Sequence, residues 1–269
     1  MKRLLLIGCG HMGSALLNAW QKFRSYNISV IDPINYKLIK KKYKNKRIQT
    51  YNDINKLEDI SKFDVVVLAV TPQIIDKILL KIKFLKLKKN SVIISIIAGK
   101  KIKFFKDSLS NSRQIIRVMP NMPALIERGV TCMVANKFVS AKNKKLTSNL
   151  FSKVGKIFWF PNENYIDMAT AVSGSGPGYV FNLINSMEKA AINLGFSKNQ
   201  SREMVLETFL GALILMRQSG KNSQELIKSI AIKGGTTEAG LKKMNELKIR
   251  KLLKNTILAA FKKAKYLGK

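Results

Sequence analysis

One histidine occurs in 269 residues, and it stands inside a glycine turn, Gly8-Cys9-Gly10-His11-Met12-Gly13. The turn follows the apolar run Leu4-Leu5-Leu6-Ile7 and leads into Ser14-Ala15-Leu16-Leu17. Strand, G-x-G-x-x-G and helix start in that order form the dinucleotide-binding pattern. Its glycines supply a tight turn, close approach of backbone to pyrophosphate and close helix-on-strand packing. The helix N-terminus adds unpaired amides and the positive end of a dipole. Asp32 closes the next apolar run, Ile28 to Ile31, about 20 residues on, where a ribose-binding acid belongs. With His11 committed to this turn, no histidine is left to move a proton beside a hydride, and Cys9 and Cys132 have no metal or disulfide spacing. A reaction needing no strong general acid fits that inventory, and reduction of an imine is one: the protonated C=N carbon is already electrophilic, so the protein need only orient it and dock its charged substituent.

Three further clusters stand at element ends. Met119-Pro120-Asn121-Met122-Pro123-Ala124 follows the strand candidate Ile115 to Val118, either at the carboxyl edge where open sheets bind ligands or as a rigid two-proline turn. Ser173-Gly174-Ser175-Gly176-Pro177-Gly178-Tyr179 precedes a long helical pattern, so its amides face an anion or cap the helix. Gly234-Gly235-Thr236-Thr237-Glu238-Ala239-Gly240 offers amides for a carboxylate and a hydroxyl for a ring nitrogen; its plainer reading is an N-cap with Glu238 complementing the dipole.

Positioning these clusters requires an α/β frame. Strand candidates are Leu4–Ile7, Ile28–Ile31, Val65–Val70, Val92–Ile97 and Ile115–Met119, extended by Val130–Val134 and Ile157–Phe160. Intervening helices are expected at Lys37–Lys44, Gln73–Leu85 and Ala141–Lys153. The alternation predicts a parallel sheet with helices on both faces over residues 1–161. From residue 162 to 269 the periodicity turns helical, at Tyr179–Leu194, Gln200–Gln218, Ser223–Ile230, Glu238–Leu247 and Ile249–Tyr266. Several of these helices, Met204–Met216 above all, are apolar on more than one face, which predicts a homodimer or larger homo-oligomer.

Composition narrows the class. Hydrophobic residues make up 46% of the chain, as in ordinary globular proteins. The opening Met1 to Cys9 has an apolar run of only four residues before the glycines, too short for a secretory signal, and no run is long enough to span a membrane, so a cytoplasmic protein is expected. The net charge of +33 raises nucleic acid as a partner. The lysines are spread over the whole chain (Lys40-Lys41-Lys42, Lys86, Lys88-Lys89, Lys144-Lys145, Lys262-Lys263) rather than gathered in one arm, which argues for a compositional bias and against a specific nucleic-acid partner.

These clusters, in this order, resemble the pyrroline-5-carboxylate reductase family. The similarity runs along nearly the whole chain, through Gly8 to Gly13, Leu68 to Pro72, Ser95 to Gly99, Met119 to Ala124, Ala171 to Tyr179 and Gly234 to Leu241. The resemblance implies a Rossmann-type dinucleotide domain followed by an all-helical dimerisation and substrate domain, and reduction of 1-pyrroline-5-carboxylate to L-proline with NADPH or NADH. It implies that Thr237 hydrogen-bonds the pyrroline nitrogen and that amides around Gly234, Gly235 and Thr236 hold the carboxylate. Ser173, Gly174, Ser175 and Gly176, on to Pro177, then line the substrate pocket. Gly8, Gly10, His11, Met12, Gly13, Asp32, Val70, Thr71, Pro72, Ala98 and Asn121 approach the cofactor. The chain departs from the family pattern at Ile232 and Lys233, where Ser-Pro is usual, at Thr71 for a frequent lysine and at Met122 for a usual threonine. Lys233 brings a cation in place of the lost serine hydroxyl. Asp32 favours NADH, whereas Lys37, Lys40 and Lys41 just beyond it favour a 2'-phosphate. Related imine or hydroxy-acid reductases, and a dinucleotide sensor that kept the fold, stay open as alternatives.

Overall fold

The computed structural model describes residues 1–44, 47–57, 59–83, 87–88, 90–109 and 114–268. The chain divides into two compact units, Met1–Ser175 with Ala260–Lys269, and Gly176–Ala259. The first contains β1 (Lys2–Ile7), α1 (His11–Trp20), β2 (Tyr26–Ile31), α2 (Tyr36–Lys42), β3 (Ile48–Tyr51), β4 (Val65–Leu68), α3 (Ile75–Lys83), β5 (Val92–Ser95), α4 (Ile102–Ser108), β6 (Gln114–Pro120), β7 (Gly129–Ala135), α5 (Ala141–Phe151), β8 (Gly155–Trp159) and α6 (Asn164–Ala169). A turn of wider, π-type helix, Thr170–Gly174, continues α6.

Strand order is β3-β2-β1-β4-β5-β6-β7-β8. The order reverses at β1, between β2 and β4, and that reversal opens a crevice at the carboxyl ends of the strands. The central strands are apolar along their length because both faces are covered. On one face Leu4, Leu6, Val30, Val65 and Ile94 pack with Leu16 and Trp20 of α1 and Leu150 and Phe151 of α5. On the other, Leu5, Ile7, Val66 and Ile93 pack with Ile75 and Leu79 of α3 and Phe105 of α4.

The structure corrects the expected all-parallel sheet at one pair. β7 runs antiparallel to β6, with Met119 opposite Cys132, before β8 resumes parallel to β7. Only residues 121–128 separate β6 from β7, fewer than a parallel crossover needs, and Glu127 in the left-handed conformation (φ 60) turns the chain back. β3 and α4 were not anticipated: both are short, and β3 follows a lysine-rich stretch without apolar alternation. The helix expected at Gln73–Leu85 runs over Ile75–Lys83; Phe84 and Leu85, like Lys86 and Lys89, lie outside the described residues.

The second unit comprises α7 (Gly176–Asn193), α8 (Lys198–Ser219), α9 (Ser223–Ile230), α10 (Thr236–Glu246) and the start of α11 (Ile249–Leu267). Capping boxes at Ser197/Gln200 and Asn222/Glu225 set the starts of α8 and α9, each satisfying two otherwise orphan amides. The expected boundary at residue 162 falls inside the first unit. Ile166 of α6 is buried against Cys132 and Val134 of β7, and the last residues of α11 return to the first unit, where Leu267 meets Gly99. Among the described residues no helix is long and apolar enough to cross a membrane.

Trp20 fastens α1 to α5. Its indole Nε1 donates to the Leu150 carbonyl at 2.9 Å, and its ring meets Phe151 edge-on, centroids 5.9 Å apart. Trp20→Phe, which keeps most of the apolar area but removes the donor, should lower stability by ~1–2 kcal/mol. Trp20→Ala should cost ~3–5 kcal/mol. Urea unfolding followed by circular dichroism measures both; a loss below ~1 kcal/mol for the alanine variant contradicts the anchoring role.

Candidate active site

The carboxyl-edge crevice is built from the loops that follow β1, β4, β5 and β6. Ladder bonds carry the strands into these loops: Gly8 N–H donates to Ile31 O at 2.8 Å, Ala69 N–H to Ile7 O at 2.8 Å and Ile96 N–H to Leu68 O at 3.0 Å. Gly8 has φ +94, and a Cβ there would lie 2.5 Å from Ala69 O and 2.8 Å from Val70 Cγ1. A Cβ on Gly13 would strike the Gly8 carbonyl. Gly10 differs: a Cβ there meets nothing within 4 Å. Two of the three glycines are therefore demanded by the protein's own packing, and the third leaves space above the turn. Gly10 is the N-cap of α1, has no side chain to cap it, and the first turn carries no acid. The amides of His11, Met12 and Gly13 consequently stand at an uncompensated positive helix end. A cavity of about 350 Å³ opens here, lined by Cys9, Gly10, His11, Ser14, Asn35, Leu38, Ile39, Lys42 and Tyr43. Glycine turn, free amides and cavity fit the pyrophosphate and one nucleoside of a dinucleotide.

Asp32 is present at the end of β2, but its carboxylate turns inward. Oδ2 accepts from Cys9 N–H at 2.6 Å and from Asn35 Nδ2 at 3.4 Å; Oδ1 accepts from Ile34 N–H at 2.9 Å and Asn35 N–H at 2.7 Å. A carboxylate has about four acceptor sites. All four are in use, so the oxygen expected for a ribose hydroxyl is engaged in bracketing the glycine turn to the β2–α2 loop. The Cys9 thiol lies beside it, and burial first, then the Asp32 charge, push its pKa up to about 12. Burial also raises the Cys132 thiol, partly offset by its hydrogen bond with Ser173.

Val70, half-buried, touches the glycine turn, while Thr71 and Ala98 are exposed and Pro72 is half-buried in the β4–α3 and β5–α4 loops. Asn121 is buried after β6, where its Oδ1 accepts from Val130 N–H at 2.7 Å and its Nδ2 donates to the Ser173 carbonyl at 2.9 Å. The structure thus brings Ser173 and Gly174 to the end of β6, where a Cβ on Gly174 would come within 3.2 Å of the Met119 methyl. The turn that holds them has bonds of its own. Ser175 N–H reaches Thr170 O at 2.8 Å, and the Thr170 and Ser173 hydroxyls donate to Ile166 O and Ala169 O at 2.7 and 2.9 Å. π-type turns are rare and concentrate at functional sites.

Sequence reasoning missed the support beneath that turn. Arg117 on β6, its side chain only 4% exposed, gives Nη2 to Asp167 of α6 at 3.1 Å and Nη1 to Glu163 at 3.2 Å. Glu163 also accepts the Ile102 N–H that opens α4. An arginine inside an apolar strand pattern, Ile115-Ile116-Arg117-Val118, was the available signal, since a buried charge requires a partner.

In the second unit, the start of α10 is formed by the glycine pair. Gly234 (φ +76) gives its N–H to Glu238 Oε2 at 2.7 Å, and Gly235 N–H goes to Ile232 O at 2.9 Å. Neither glycine amide is therefore left for a ligand. Gly235 is the N-cap, without a side-chain bond, so the amides of Thr236, Thr237 and Glu238 are the ones turned out of the helix. Thr237 is half-buried and its hydroxyl makes no hydrogen bond among the described residues, unlike Thr208 and Thr256, which donate to the carbonyl four residues back at 2.6 and 3.0 Å. Ile232 and Lys233 are exposed beside the turn.

A family model described as pyrroline-5-carboxylate reductase dimerisation matches residues 163–267, and one described as NADP oxidoreductase, coenzyme F420-dependent, matches residues 3–99. The pyrroline-5-carboxylate reductase of Aquifex aeolicus is 31% identical over 266 residues, which cover 98% of this chain and 97% of that protein. That of Glycine max is 33% identical over 209 residues, 78% of this chain and 75% of that one. The crystal structure of Plasmodium falciparum pyrroline carboxylate reductase with NADP bound matches with a TM-score of 0.85 at 29% identity, covering 100% of this chain and 98% of its own.

The glycines predict opposite outcomes. Gly10→Ala should leave the stability within ~0.5 kcal/mol of the parent, because its Cβ has room, yet weaken NADPH binding about tenfold by filling the space over the turn. Gly8→Ala should destabilise by more than ~2 kcal/mol. Thermal unfolding and fluorescence titration check both, and equal destabilisation by the two would contradict this division of roles. The thiols offer a second check. At about pH 8, below the raised pKa of either group, both should resist a thiol-specific disulfide reagent until denaturant is added. Rapid reaction of the native protein would contradict the burial of at least one of them.

Proposed function

This chain belongs to the pyrroline-5-carboxylate reductase family, and from that premise we propose that it reduces 1-pyrroline-5-carboxylate to L-proline, with NADPH or NADH as reductant. The observation that carries the reading is the start of α10. Three outward amides and an unengaged hydroxyl lie within one turn, a carboxylate receptor beside a group able to hydrogen-bond a ring nitrogen. When bound, the reduced nicotinamide supplies a hydride.

The residues of the chain do the rest. Gly8 to Gly13 hold the pyrophosphate, with Val70, Thr71, Pro72 and Ala98 beside it. Ser173 to Pro177 shape the substrate side. The amides of Thr236 and Thr237 take the carboxylate, Lys233 adds a positive charge near it, and Thr237 Oγ1 pairs with the imine nitrogen. By role we assign residues 1–161 to dinucleotide binding and 162–269 to dimerisation and substrate binding, a division that differs from that of the two compact units. Assembly as a homodimer or larger is supported by the helices themselves: within Gly176–Ala259 only Ser201 and Val205 are buried, while Phe181, Leu210, Leu213 and Leu215 stand exposed, more apolar surface than a monomer leaves in water. The free, buried cysteines support a cytoplasmic protein. The dispersed lysines support a small-molecule substrate with no specific nucleic-acid partner.

The purified protein should oxidise NADPH or NADH on addition of 1-pyrroline-5-carboxylate, with L-proline as product. No oxidation of either cofactor overturns the reading. Thr237→Ala should lower kcat/KM for the imine about tenfold or more while sparing NADPH affinity, and Thr237→Ser should restore most of the rate.

A further inference from the structure

We propose that Asn121 is a positioning residue for the substrate turn at Ser173–Ser175, and that its carboxamide acts through that turn without touching the dinucleotide. The inference rests on the proposed reductase reading. It begins from an unused local bond. An asparagine at an N-cap ordinarily accepts from its own helix, and Asn121 is the N-cap of the short 3₁₀ turn Met122–Ile126, yet its side chain makes no bond there. Instead it reaches two distant segments. Oδ1 takes the N–H of Val130, which lies one step beyond the last β6–β7 pair, Pro120 opposite Thr131, and so ends the ladder. Nδ2 donates to the carbonyl of Ser173.

That carbonyl has a particular need. In an α-helix it would accept from the residue four positions on, which is Pro177, and proline has no N–H. The Ser-Gly-Ser-Gly-Pro sequence thus removes a helical donor for a carbonyl near the end of the wide turn, and Asn121, just after β6, supplies one. Asn121 is 8% exposed, and each end of its carboxamide is bound to the protein. One Nδ2–H and one Oδ1 lone pair are thereby committed, and these two bonds fix the plane of the carboxamide between Val130 and Ser173.

The experiment compares Asn121→Asp with the parent enzyme. Aspartate keeps an acceptor for Val130 but, when ionised, sets a carboxylate oxygen against the Ser173 carbonyl; when protonated, its O–H can replace the lost donor. Expected are an imine KM raised about tenfold near pH 8, an unchanged NADPH Kd, and a KM ratio to parent that falls back toward one as the pH is lowered to about 5.5. An unchanged imine KM overturns the proposal. So does weakened NADPH binding with normal imine KM, which would make Asn121 a cofactor contact. Should the aspartate variant not fold, Asn121→Ala carries the same comparison of imine KM against NADPH Kd, and failure of both to fold would show a general stabilising role instead. A parent protein inactive with 1-pyrroline-5-carboxylate defeats the reductase reading alone and is recognised before any variant is assayed.

Discussion

A guanidinium buried on a β-strand cannot stand alone, and much of the site follows from that constraint. Removing one partner of such a group costs about 3–5 kcal/mol, because the remaining charge is stranded away from water. Arg117 therefore requires both Asp167 and Glu163, and their requirement draws α6 down onto β6 and β7. The position of α6 sets where the wide turn Thr170–Gly174 begins. Glu163 in addition receives the first amide of α4, just after the loop that carries Ala98. One buried cation thus ties together the strand, the turn given to the substrate and the loop given to the cofactor. An apolar residue at 117 could pack as well, but it would specify none of these three placements.

The glycine turn shows the same economy with an anion. Asp32 joins the residue after Gly8 to the two residues that close the β2–α2 loop, and so ties together two segments that line the 350 Å³ cavity. A carboxylate used in this way has its four acceptor positions occupied by N–H groups, while its charge is still felt by the neighbouring Cys9 thiol. Lys42 and Asn35 then line the wall with no free acid beside them. The sequence rule that places a ribose-binding acid about 20 residues after the glycines finds the right residue in the right loop. It cannot tell which way the side chain points, because that depends on Cys9, Ile34 and Asn35 together.

What could be read from the chain alone divides along this line. β1, β2, β4, β5 and β6 are legible because buried parallel strands are continuous apolar runs, and the helices beyond residue 175 because their periodicity is long. The antiparallel return of β7 was decided by the length of a connection, a feature present in the sequence but weaker than the alternation around it. At the site, residue types were legible and their allegiances were not. Gly234, Gly235 and Asn121 all lie where ligand contacts were expected, yet the amides of the first two and the carboxamide of the third are bonded to the protein. Such commitments are made across 52 residues for Asn121 and Ser173, and no local pattern records them.

The placement of the one histidine bears on the chemistry as much as on the fold. His11 lines the cavity beside the glycine turn, and Glu238, the acid at the start of α10, is tied back to the Gly234 amide. Under the proposed function neither is placed to pass a proton to a ring nitrogen. The electrons balance without one. A cyclic imine that arrives protonated needs only a hydride at carbon: the C=N π pair becomes the nitrogen lone pair, and the secondary amine then takes a proton from water. A hydroxyl such as that of Thr237 suits this sequence because it can accept from the iminium N–H and still bond the amine that forms, changing partners without changing charge. In the proposed reading the α10 amides hold the substrate carboxylate and so fix the ring about one end, and the hydroxyl on the same helical turn fixes its rotation about the other. Orientation and fixed dipoles are what this chain has to contribute, and a substrate that brings its own proton is the kind for which those contributions suffice.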